Sequence, residues 1–156
     1  MTTWIDVFNY VRTEYEIMEE MDDWLRFRLD TGEQQVTVHH LTDAGGSAWV
    51  EISSPVGRAD MIDLRRLLEL AGTSIVGGAA VVGGVALLKH TVPLADLSVR
   101  EEFEHPLRLV AANADAFERL LTHPGRPQRP ARPGETEPSL GPADVHAPSL
   151  AGVSRI

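Results

Sequence analysis

The side chains able to do chemistry are spread thinly along this sequence. Six histidines are present. His39 and His40 are neighbours, so on a strand they point to opposite faces and cannot share a metal ion. His90, His105, His123 and His146 stand isolated. The carboxylates between Glu14 and Asp23 have the types needed for an acid and a base, but no histidine pattern accompanies them, so they read as a solvated acidic edge. The doublets Gly77-Gly78 and Gly83-Gly84 are not a phosphate loop, because Val85 and Ala86 follow where Lys and Ser or Thr must hold phosphate and magnesium. Gly-x-Gly-x-x-Gly is absent too, and without cysteine there is neither a thiolate metal site nor a disulfide. The sequence therefore predicts no catalytic residue, no cofactor and no metal.

Recognition is better provided for. In WLRFRL, Leu25, Phe27 and Leu29 alternate with Trp24, Arg26 and Arg28, the pattern of a half-buried strand. Asp30-Thr31-Gly32 turns into a second strand, Gln34 to Leu41, with Val36 and Val38 inward and Gln35, Thr37 and His39 outward. Asp43-Ala44-Gly45-Gly46 turns again into Ala48 to Ser53, where Val50 and Ile52 oppose Trp49 and Glu51. The wet face of this meander collects Trp24, Arg26, Arg28 and Trp49. Trp and Arg are the side chains that most often anchor protein interfaces, so these four are the predicted partner-binding residues.

The elements around the meander must hold it. Thr3 caps a first helix with the stripe Trp4, Ile5, Phe8, Val11 and Tyr15, which frays or turns between Glu14 and Asp23. Pro55 and Gly57 break the sheet. Asp60 to Leu70 is a helix with Met61, Ile62, Leu64, Leu67 and Leu68 inward, stopped by Gly72. Ser98 and Glu101 form a capping box for a last helix, in which Pro106 imposes a kink or restart before the stripe Leu107, Val110, Ala114, Phe117 and Leu121.

Between the last two helices lies the most apolar stretch, Ser74 to Leu97. Leu70 to Leu88 is uncharged throughout, close to the roughly 20 residues that a membrane span requires. Two glycine doublets would weaken such a helix twice, and their six-residue repeat misses the Gly-x-x-x-Gly spacing of helix pairing. A hairpin fits better: Gly78 to Val82 and Val85 to Val92 are strands, Gly83-Gly84 supplies the turn, and Pro93 ends the ladder. Its unbroken apolarity demands cover on both faces, or cover of one face by another copy of the chain.

A net charge of −9 and a pI near 5.0 work against nucleic-acid binding. The start lacks a basic region followed by an apolar run, so a cytoplasmic location without membrane insertion is expected. From His123 onward the chain is rich in proline and poor in large apolar residues, which predicts a disordered tail. Within it Pro124, Pro127, Pro130 and Pro133 recur every third residue, and a polyproline II helix would align Arg126, Arg129 and Arg132 along one edge.

The order helix, three-strand meander, helix, two-strand hairpin, helix, with WLRFRL, MIDLRRLLELAG, HTVPLADLS and ANADAFERLL at their places in it, resembles the type III secretion chaperone-like fold, in the branch of the YbjN-like bacterial proteins. The resemblance spans residues 3 to about 122; the glycine doublets and the tail depart from it. It implies a non-enzymatic, often dimeric module that binds extended segments of partner proteins or serves as an adaptor. It also implies a homodimer interface on the second helix and the hairpin, at Leu64, Leu68, Val76, Val81, Val82, Val85 and Leu87.

The expectation is thus an α+β domain over residues 1–122, with a five-stranded, mainly antiparallel sheet and three helices in the order α-β-β-β-α-β-β-α, followed by a Pro-rich disordered tail over 123–156. Its expected work is that of a chaperone or adaptor with a protein partner. The alternative is a structural or regulatory subunit of a larger bacterial assembly, docked through Arg126, Arg129 and Arg132.

Overall fold

The computed structural model describes residues 2–29, 34–95 and 98–122. The chain divides into two units, Met1–Arg126 and Pro127–Ile156, and every element below belongs to the first. The turn Asp30-Thr31-Gly32, Leu97 and the tail with Arg126, Arg129 and Arg132 lie outside the described residues.

Helix α1 (Trp4–Glu14) begins at a capping box in which Thr3 Oγ1 accepts from the Asp6 N–H and Asp6 accepts from the Thr3 N–H at 2.8 Å. Its buried residues are Val7 and Val11, whereas Ile5, expected inside, is exposed. The register has therefore turned so that the i, i+4 pair Val7 and Val11 faces the sheet.

The chain then does what its composition hides. Glu16–Met21 is a strand, β1, pairing antiparallel with β2 (Trp24–Arg28). With β3 (Gln35–Thr42), β4 (Ala48–Arg58), β5 (Gly78–Val82) and β6 (Val85–Pro93), the sheet has six strands rather than five, all neighbours antiparallel, in the order β1-β2-β3-β4-β6-β5. The fold is α+β as expected, with an extra edge strand where a fraying helix or turn was expected. A register shift between Ile17 and Glu19 breaks the two-residue alternation that would otherwise reveal it.

Strand β4 likewise runs through Pro55 to Arg58 instead of breaking there. Beyond Ser53 it pairs with β6, and a register shift between Pro55 and Gly57 absorbs the proline, which has no N–H to donate. The Pro55 carbonyl is taken by the Gln34 side-chain amide at 3.0 Å. At the hairpin, Gly83 and Gly84 have φ of 56° and 79°, the left-handed pair that a two-residue turn requires.

Helix α2 (Leu64–Gly72) starts later than expected, at Asp63, whose carboxylate accepts from the Arg66 N–H. It buries only Leu67 and Ala71, while Met61, Leu64 and Leu68, expected inward, are exposed. The last helical segment opens with the predicted capping box, Ser98 Oγ accepting from Glu101 N–H and Glu101 from Ser98 N–H, each at 3.3 Å. A π turn, Arg100–Glu104, then carries the His105 N–H back five residues to the Arg100 carbonyl, and α3 (His105–Thr122) continues from it. The widened turn sits where Pro106 cannot donate to the Glu102 carbonyl, so the expected restart is present. Beneath it the Arg108 guanidinium, first, and the Tyr10 hydroxyl hold the Glu104 carboxylate below its usual range, while burial and that same bond push the Tyr10 phenol up.

The core lies on one face of the sheet. Leu25, Phe27, Val36, Val38, Val50, Ile52 and Val92 pack with Val7, Val11, Phe103, Leu107 and Val110. Val56, Ala86 and Leu88 pack with Leu67, Ala71, Ala114 and Phe117. Each large side chain so buried contributes about 1.5–3 kcal/mol. The three helices share this face, and the opposite, outer face has no described element over it. Among the described residues no helix is long and apolar enough to cross a membrane.

Candidate protein-binding face

The pairing registers lay out the outer face as rows across the strands. One row is Met21, Trp24, His39, Glu51 and Thr91; the next is Glu19, Arg26, Thr37, Ser53, Lys89 and Gly78. Trp24, Arg26, Arg28 and Trp49 all stand on this face, as alternation demands. His39 and His40 separate as expected, His39 lying 6.0 Å from Trp24 on the outer face and His40 stacking on Trp4 at 5.4 Å on the inner one.

The structure joins two of the four predicted residues. Arg26 lies over the Trp24 ring, 5.6 Å from its centroid, donates to Glu19 at 3.0 Å, and reaches Thr37 Oγ1 at 3.4 Å. Arg28 pairs with Glu16 at 3.7 Å. These ion pairs are open to solvent and contribute little to stability. Trp49 stands apart: two strands and one row separate it from Trp24, about 12 Å by strand geometry. Its indole N–H donates to Asp43 Oδ2 at 3.0 Å, and Asp43 Oδ1 accepts from Gly45 and Ser47 N–H at 2.8 and 2.9 Å. The Trp49 bond first, then the Ser47 backbone bond, hold the Asp43 carboxyl below its usual range.

Beside Arg26, on the side away from Trp49, lies a trough of about 350 Å³, lined by Arg26, Gln35, Thr37, His39, Ser53, Pro55, Val82, Val85 and Leu87. Its apolar wall escaped sequence reasoning. In an all-apolar hairpin no alternation says which side chains face out, and reading Pro55 as a break ended the face one residue pair early.

The residues expected at a dimer interface divide among three places. Leu64, Leu68 and Val81 line a notch of about 140 Å³ between α2 and the outermost strand, β5. Val82, Val85 and Leu87 wall the trough on the outer face. Val76 is 3 % exposed and belongs to the core, so its surface is already spent inside the domain. Among the described residues no three His, Asp or Glu converge as a metal site. No protein-family model and no curated protein matches this chain.

Proposed function

We propose that this domain is a non-enzymatic protein-binding module, a chaperone or adaptor of the YbjN-like, type III secretion chaperone-like kind, acting in the cytoplasm as a homodimer. One observation carries the reading: all three helices pack on one face of the sheet, leaving Trp24, Arg26, Arg28 and Trp49 on a face that no described element covers. Tryptophan on a water-facing sheet surface gains most by being covered by a partner. The helix and strand order, with one strand added at the acidic edge, supports the family reading. For the dimer, the support is the uncharged strand β5, with its own Val81 and the neighbouring Leu64 and Leu68 of α2 exposed.

The test is a pull-down with the purified full chain and with the Trp24→Ala, Trp49→Ala double variant, checked for intact folding by circular dichroism. The variant is expected to lose the partner set. Full retention of that set would remove the outer face from the function. Light scattering over a range of concentrations reads the dimer, and a mass that stays monomeric at all of them rejects it.

A further inference from the structure

The trough on the outer face differs in charge from the rest of this acidic chain. Its lining holds Arg26 and His39, the hydroxyls of Thr37 and Ser53 and the amide of Gln35, and not one carboxylate. Glu19 reaches Arg26 only from the β1 side, outside the lining. Across from these donors stand Val82, Val85 and Leu87. The depression is polar and cationic on one flank and branched apolar on the other.

We infer that the trough selects, within an extended segment of the partner protein, an acidic side chain followed four residues later by a branched apolar one. This rests on the outer face being the binding face. The carboxylate meets the Arg26 guanidinium and accepts from the Thr37 hydroxyl, the Ser53 proton being already given to the Thr37 carbonyl, and the apolar side chain packs on Val82, Val85 and Leu87. The spacing follows from the sheet. The Arg26 guanidinium reaches Thr37 on β3 through Nε, and from Thr37 to Leu87 on β6 is two strands and one row, about 12 Å at the backbone. Side chains four apart on an extended segment point the same way about 13 Å apart, which matches that span. An acid is favoured over a base because the trough offers a cation and hydrogen-bond donors with no counter-carboxylate among its lining residues.

The probe is an acetylated, amidated peptide, Gly-Ser-Asp-Ser-Ser-Ser-Leu-Ser-Gly, titrated into the nitrogen-15-labelled full chain and followed by amide shifts. The expected shifts fall on Thr37, Ser53 and Leu87. Replacing the probe's Asp by Lys is expected to weaken binding about tenfold, and Arg26→Gln about fivefold, as for an exposed ion pair lost with or without added repulsion. Glu19→Gln, which removes the residue competing for Arg26, is expected to tighten it. Equal binding of the Asp and Lys probes, shifts centred elsewhere, or no binding of either overturns the inference. If the tryptophan variant still loses its partners while the Asp and Lys probes behave alike, the charge selection fails and the binding face stands. If the variant also keeps its partners, both fall.

Discussion

The two edges of the sheet are built in opposite ways. On β1, Glu16, Glu19 and Glu20 line a short strand whose pairing is shifted between Ile17 and Glu19. Arg28, Arg26 and Arg12 hold those three carboxylates at 3.7, 3.0 and 3.5 Å. On β5 the five residues Gly78 to Val82 carry no charge and pair without a shift, and beside them the apolar stripe of α2 is left in the open. Bare strand edges recruit other strands, and charge with a bulge is how sheets prevent that. One edge of this domain carries that guard while the other lacks it; under the proposed function, association falls at β5 and the outer face is left for a separate ligand.

The hairpin holding β5 depends on one backbone position. Gly77 has a φ of 66°, and a Cβ there would lie well inside contact distance of the Lys89 carbonyl oxygen. Gly77→Ala combines left-handed strain with a clash against backbone, so it is expected to cost about 2–4 kcal/mol in urea unfolding. Hydrogen exchange should quicken in β5 and β6 more than in β1 and β2. A loss under about 0.5 kcal/mol would show that β5 is not locked as described.

If the contrast in edges directs association, moving charge between them should move the behaviour. Val81→Lys gives β5 the guard that β1 has, on a side chain already 50 % exposed. It is expected to weaken a dimer by about a hundredfold, equivalent to roughly 3 kcal/mol, with little change in the unfolding of the monomer. Sedimentation at several concentrations reads it, and an unchanged mass distribution excludes this edge. The converse, Glu19→Val with Glu20→Val, strips the guard from β1 and should produce new, concentration-dependent light scattering. No change in scattering would mean that the shifted register alone protects that edge.

The same contrast explains what could be read from the letters. The hairpin was legible because a glycine pair between apolar runs has few other uses, and the meander because three strands alternate cleanly. Both places where the outline failed are β-bulges. At Met18 a shift in pairing scrambled the alternation of an acidic strand, and at Pro55 a shift let a strand pass a residue that usually ends one. Helix α2 failed differently. Its stripe of Leu64, Leu67 and Leu68 is regular, but periodicity reports only that a face is apolar, not whether this chain or another covers it. For the site, alternation placed Trp24, Arg26, Arg28 and Trp49 on one face but could not separate Trp49 from the others.

That separation yields the smallest and most local prediction, at the turn between β3 and β4, away from both edges. In the unfolded chain the Asp43 carboxyl titrates near its ordinary value of 3.8, and in the fold the bonds from Trp49 and Ser47 lower it. A lowered folded value means the turn's contribution is complete above pH 3.8 and is lost as pH falls through the lower, folded value. With Trp4 and Trp24 replaced by phenylalanine, the emission of Trp49 alone should shift in that acid range. Asp43→Asn separates the two halves of the bond network. The asparagine oxygen still accepts from the Gly45 and Ser47 N–H groups, but its NH₂ cannot accept from an indole. The turn should therefore persist while Trp49 emits as freed at neutral pH and shows no acid step. An acid step retained in Asp43→Asn would assign the titration to another carboxylate and detach Trp49 from Asp43.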